Sequence, residues 1–174
     1  MKYSGLLLAF SGWIGSALVS IPAAAQTKYD YHAVFIYNFS KYIEWPEDKV
    51  GNSFVIGVFG DSPLQSILTQ LVDQRKIGNN PITVRRLRNP AEVASCHIVF
   101  FSAGTNRDFE ASKPIAQSKG VLTVTESPGM GRKGAGINFI IVEGKLKFEI
   151  NRQTLTDSHL NASGQLYTLG LPIN

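Results

Sequence analysis

One cysteine in 174 residues is too few for an intramolecular disulfide framework or a Cys-rich zinc module. Charge is scarce as well. Lys and Arg number 17 against 13 Asp and Glu, a formal net charge of +4, which is too small an excess to argue for a nucleic-acid partner. There is no G-X-Y period, heptad seam or fixed repeat, which sets aside collagen, coiled coils and solenoids. Also missing are a G-x-S-x-G elbow, a P-loop, a paired-carboxylate motif and any metal-ligand spacing among His32, His97 and His159. No catalytic residue, cofactor or metal is assigned on these grounds. What the chain does have is apolar material, 44% of its residues, enough at this length for one well-formed core.

The first apolar stretch is an export signal. Lys2 precedes Leu6-Leu7-Leu8-Ala9-Phe10, Trp13-Ile14 and Ala17-Leu18-Val19, and an A-x-A site falls at Ala23 and Ala25. This describes a secretory signal peptide over residues 1–25. Gly12, Ser16 and Pro22 interrupt a run that is already short for a membrane anchor. The cleavage site lacks a cysteine, so a lipoprotein is excluded. Residues 26–174 then form the exported chain, expected to be soluble because no later run approaches the roughly 20 apolar residues of a membrane span.

Along that chain, the spacing predicts a helix over Tyr29–Ile43, with Phe35, Phe39 and Tyr42 on one stripe and an end at Trp45-Pro46. Phe54–Phe59 reads as a buried strand stopped by Gly60. Asp61-Ser62-Pro63 then supplies a cap and a first-turn proline for the helix carrying Leu64, Ile67, Leu68, Leu71 and Val72. A turn at Gly78–Pro81 leads to a strand over 82–87. A short helix follows from Asn89-Pro90 to Ala94, and then a strand over 97–101. Residues 106–118 suit a helix, and Val121–Thr125 a strand. After a glycine-rich loop, Ile137–Val142 and 145–150 form a hairpin about Glu143-Gly144. The tail, 151–171, reads as one or two short helices. Strands alternating with helices make this a single α/β domain with a mixed, mostly parallel sheet, helices on both faces and a C-terminal β-hairpin.

Gly129-Met130-Gly131-Arg132-Lys133-Gly134 matches G-x-G-x-x-G by letter only. A dinucleotide site needs that loop to open a helix, and here a strand follows. Gly60-Asp61-Ser62-Pro63 sits where a strand meets a helix, a common ligand position, but Asp61 would repel a phosphate and capping explains it better. Cys96 and His97 face opposite sides of a strand, so they make no nucleophile–base pair, and Cys96 reads as a small buried apolar residue.

The order of motifs resembles the YfiR family. Ala33–Pro46 is similar to its opening helix. Phe54–Asp61, the basic strand 82–87 and Cys96–Phe101 follow in the family's order. So do Val121–Val124 before the glycine-rich loop, Gly136–Phe139 and Leu146–Asn151. The resemblance implies a non-enzymatic periplasmic regulator that binds and represses the sensor domain of an inner-membrane diguanylate cyclase, lowering cyclic di-GMP. It further implies an outer-membrane lipoprotein that relieves the repression, and homodimers. Some relatives carry cysteine pairs, whereas Cys96 has no partner within this chain. The family's terminal helix is replaced here by Ala162–Gly170, where Gly164 is expected to cost about 1 kcal/mol in a helix interior.

Five residues are the candidates for partner contact. Trp45, beside Pro46, is either an anchor or a plug of the core. Arg132 and Lys133 lie on a loop, and Asn138 and Asn151 match the family pattern at strand ends, where caps or turns explain them equally well. The alternative role is a periplasmic small-molecule-binding accessory protein of a two-component sensor kinase, which needs a pocket of roughly 300–1,000 Å³ with convergent polar groups. A hydrolase would require Ser, His and Asp to converge in space.

Overall fold

The structure is a computed structural model that describes residues 23–46, 49 and 51–173, with side chains from Lys28 onward. The proposed leader therefore lies outside the described residues, apart from Ala23–Ala25 at the start of the first helix. That helix, α1, spans Ala23–Tyr42 and begins earlier than the sequence pattern marked. It runs into β1 (Ile43–Glu44), so Trp45-Pro46 closes a two-residue strand instead of the helix itself.

The centre of the molecule is an eight-stranded sheet in the order β10-β8-β7-β6-β5-β2-β4-β3. Its strands are β2 (Phe54–Phe59), β3 (Lys76–Ile77), β4 (Asn80–Leu87), β5 (Ile98–Phe101), β6 (Leu122–Thr125), β7 (Ile137–Val142), β8 (Lys145–Asn151) and β10 (Leu171–Ile173). β4, β2, β5, β6 and β7 run parallel, β7 and β8 form the antiparallel hairpin, and β10 lies parallel to β8. The helices are α2 (Leu64–Val72), α3 (Asn106–Ser118), α4 (Arg152–Asp157) and α5 (Gly164–Leu169), and Pro90–Ser95 is a 3-10 helix. A small ladder joins β1 to β9 (Asn161–Ala162).

Alternation along each strand divides the interior in two. Ile56 and Val58 of β2, Ile98 and Phe100 of β5 and Leu122 and Val124 of β6 join Ile36, Phe39, Leu64 and Leu68 from α1 and α2. Phe59, Val99 and Phe101 point the other way and meet Phe109 and Ala116 of α3 with Val93 of the 3-10 helix. Continuous apolar strands with a helix layer on each face are what a mostly parallel sheet requires.

Several local expectations change. The turn at Gly78 is the tip of a small β3–β4 hairpin, and β4 begins two residues before the expected strand, at Asn80. The tail holds two strands besides its helices, and β10 becomes an edge of the main sheet through pairing with β8, a non-local contact that no periodicity in 151–171 announces. Ser62, not Asp61, caps α2: its Oγ accepts the Leu64 N–H at 3.2 Å, while the Asp61 side chain is 96% exposed, 3.6 Å from Arg86. Gly164 is the first residue of α5 behind the Ser163 cap, so the helix-interior penalty does not apply.

Cys96 is fully buried, within 3.7 Å of an Arg85 guanidinium nitrogen, and burial pushes its thiol up. Maleimide is therefore expected to leave the folded chain unlabelled at pH 8 and to label it once in urea, read by mass spectrometry. Labelling at the same rate with and without urea would show an accessible thiol.

Candidate functional site

The glycine-rich loop turns out to be tied down. Met130, Lys133, Gly134 and Ala135 use their N–H groups on carbonyls within the loop, which leaves those four unavailable to cradle an anion. Gly131 is a packing requirement: a Cβ there would meet Glu149 Oε2 at 2.5 Å and Ile173 Cδ1 at 2.8 Å. Asn138 is fully buried. Its Oδ1 accepts from Thr125 Oγ1 at 2.7 Å, and its amide donates to Glu149 Oε2 at 2.9 Å. Asn151 donates to the Gly131 carbonyl at 3.0 Å and caps α4 by accepting the Thr154 N–H at 2.9 Å. Four of the five sequence candidates thus lie on the loop or the hairpin: Asn151 ties the loop to the end of β8, Asn138 links β7 to β6 and β8, and Arg132 and Lys133 are exposed on the loop.

Trp45 stands apart. Half-buried, it packs edge-on to Phe54 at 5.0 Å and donates its indole N–H to the His97 carbonyl at 3.1 Å. The His97 ring is equally engaged, with Nδ1 accepting the Val55 N–H at 3.0 Å and Nε2 3.1 Å from the Lys49 carbonyl. Burial, aided by the Lys49 charge, lowers the His97 pKa, so both bonds fit a neutral ring that donates from Nε2.

The sequence singled out neither side of an apolar groove at the surface. The first turns of α1 lie against the β7–β8 hairpin and leave a groove between them. Tyr31 is 58% exposed and Ile141 63%, large apolar side chains that face water across it, and Val34, 45% exposed, lies on the same helix. A cavity of about 690 Å³ runs along this groove, lined by Lys28, Tyr31, Phe35, Ile141, Gly144, Lys145 and Leu146. Beside it, a smaller cavity of about 390 Å³ is bounded by Lys28, His32, Glu126, Pro128, Phe139 and Leu146.

The floor of that smaller cavity is an unusual cluster. His32 is fully buried and stacks on Phe139, ring centroids 4.1 Å apart and planes 8° from parallel. Neither of its ring nitrogens has a hydrogen-bond partner among the described residues. Its Nδ1 lies 3.8 Å from Glu126 Oε2, and Lys28 Nζ lies 2.6 Å from the same oxygen as an ion pair. Glu126 Oε1 accepts from Tyr29 OH and from the Ala103 N–H, both at 3.0 Å. Burial drives the His32 pKa down to about 4, with Glu126 opposing and Lys28 assisting. Burial also raises the Tyr29 pKa, as does the Glu126 charge. Glu126 follows β6 and Ala103 follows β5, so the cluster sits beyond the carboxyl ends of parallel strands, the usual ligand side of an open α/β sheet.

The sequence held a signal for this groove. Apolar positions run most of the way round α1, more than one buried stripe needs, and the surplus Tyr31 and Val34 are the exposed ones. Lys28 and His32 are also one helical turn apart, four residues. Glu126 carried no local mark, because its partners come from α1 and from the end of β5. Among the described residues, no three His, Cys, Asp or Glu side chains gather as a metal site.

An α/β domain with an apolar groove at the strand ends is built to bind. The chain belongs to the YfiR/HmsC-like family, whose profile matches residues 29–170. That family is regulatory, non-catalytic and periplasmic. No described helix is long and apolar enough to cross a membrane. Comparison with curated proteins finds no match. A solved structure, a conserved domain protein from Vibrio cholerae, superimposes with a TM-score of 0.54 at 10% identity, covering 84% of this chain and 60% of that one. At that identity the likeness is one of fold, and this chain spans less than two thirds of the Vibrio protein.

Proposed function

We propose that the chain is exported by its leader and represses an inner-membrane diguanylate cyclase by docking on the cyclase's periplasmic sensor domain, with an outer-membrane lipoprotein competing for it. The observation that carries this reading is the groove itself: exposed Tyr31 and Ile141 lining a cavity, with Lys28 and Lys145 at the rim. A buried apolar centre with a polar edge is how protein interfaces concentrate their energy. Arg132 and Lys133, exposed on a loop that Asn151 anchors through the Gly131 carbonyl, would add a contact away from the groove, Asn138 would serve by holding β7 to its neighbouring strands, and the exposed part of Trp45 offers a separate contact for a second copy in a homodimer.

Deleting the gene is expected to raise cellular cyclic di-GMP and surface attachment, and the wild-type gene to restore both. A Tyr31→Asp/Ile141→Asp chain should fold with an unchanged melting temperature yet fail to restore them. Removing two central anchors, at about 2 kcal/mol each, weakens binding by roughly a thousandfold. A deletion that changes neither quantity, with the cyclase intact, defeats the proposal.

One observation favours a second role. The 390 Å³ cavity over His32, Lys28 and Glu126 has the size and the convergent polar groups of a small-molecule site. An accessory protein reporting a solute to a two-component sensor kinase would use it, and an operon pairing this gene with a histidine kinase, not a cyclase, would select that reading.

A further inference from the structure

The outer side of β4 is open. β4 pairs with β2 along Ile82–Leu87 on one side, while on the other β3 covers only Asn80 and Pro81. Among the described residues no strand pairs beyond it, so a parallel edge of six residues, about 20 Å long, is left without a strand partner. Both faces of this strand are already occupied: Ile82 and Val84 pack on the α2 side, and Leu87 is buried on the other. An edge fixed from both faces holds its unpaired N–H and C=O groups in place, and adding a strand requires little further ordering of the host.

Charge selects what such an edge accepts. Arg86 and Arg88 are exposed along it and Arg85 is half-buried, while Arg75 and Lys76 lead in through β3. Three acids stand among these five cations: Asp61 lies 3.6 Å from Arg86, Glu92 is bonded to the Arg88 and Asn89 nitrogens, and Asp73 follows α2. Edge-to-edge pairing with a second copy would bring both sets of arginines into one seam, so the same charges that keep copies apart favour an acidic strand.

We propose that the β4 edge takes up an extended acidic segment of a partner protein as an added strand, its alternate carboxylates meeting Arg86 and Arg88. Main-chain bonds supply the attachment and the arginines the selection. β6, β5 and β2 lie between this edge and the β7–β8 hairpin, so the groove and the edge can be occupied together.

The test uses the full exported chain and two labelled peptides of equal length, one alternating glutamate with valine and one alternating lysine with valine, read by fluorescence anisotropy. The acidic peptide is expected to bind and the basic one not. Arg86→Glu/Arg88→Glu, on exposed positions, should weaken the acidic peptide at least about tenfold. Amide exchange should show protection confined to residues 82–87. Equal binding of both peptides, indifference to the double reversal, protection over 137–148 in place of 82–87, or no binding of either peptide would overturn the proposal.

Discussion

Replacing His32 by phenylalanine is expected to make the chain less sensitive to acid. The buried imidazole accepts a proton only near pH 4, whereas in the unfolded chain it does so near 6.5. Between those values the unfolded state binds more protons, so stability is lost as pH falls through the window, by up to about 3 kcal/mol. His97 is lowered in the same direction and adds to the loss, which is why the variant should flatten the slope without abolishing it. Phenylalanine retains the stack on Phe139 and removes two buried nitrogens that lack partners, so at pH 7 the change should be neutral or stabilising by about 1–2 kcal/mol. Urea unfolding of both chains at pH 7 and pH 4.5 gives the comparison. If the variant loses as much stability as the wild type between these two values, His32 is not the titrating group.

The largest loss should come from Phe39→Ala. This ring is 1% exposed, with the Phe148, Phe139 and Phe35 centroids 5.0, 5.9 and 6.2 Å away. Removing it opens a cavity between α1 and the hairpin, at about 3–5 kcal/mol and roughly 10 °C in melting temperature. The groove walls are the outer surfaces of those same two elements, so partner binding should fall along with stability. That pairing distinguishes the variant from Tyr31→Asp/Ile141→Asp, which should spare the fold. A loss below about 1 kcal/mol would mean that α1 is pinned elsewhere.

The parts of the fold that could be read in advance are those whose signal is local. The strands 54–59 and 98–101 are continuous apolar runs, α2 has an unbroken i, i+3, i+4 pattern, and the 137–151 hairpin alternates about a turn in which Glu143 and Gly144 both have positive φ. β10 and β3 were hidden because each depends on a strand already in place, at three and two residues respectively. The site followed the same division. Asn138 and Asn151 stood out by pattern, but their bonds to Glu149, Thr125 and Gly131 show in three dimensions only. Tyr31 and Val34 looked like ordinary members of an apolar helix, and their exposure depends on which faces of α1 the rest of the chain covers.

The join between β6 and β7 has mechanical consequences. Only Val124↔Ile137 and Thr125↔Asn138 are in register there, against six pairs between β2 and β4. Side chains reinforce this short stretch, Thr123 Oγ1 accepting the Gly136 N–H and Thr125 Oγ1 donating to Asn138. The sheet therefore has a line of least resistance. β7, β8 and β10 form one plate, the remaining strands form another, and α1 bridges them through His32, Phe35 and Phe39 against Phe139. A load applied at the hairpin, as by a membrane-tethered partner pulling on the groove, would open the molecule along that seam and leave the parallel half intact.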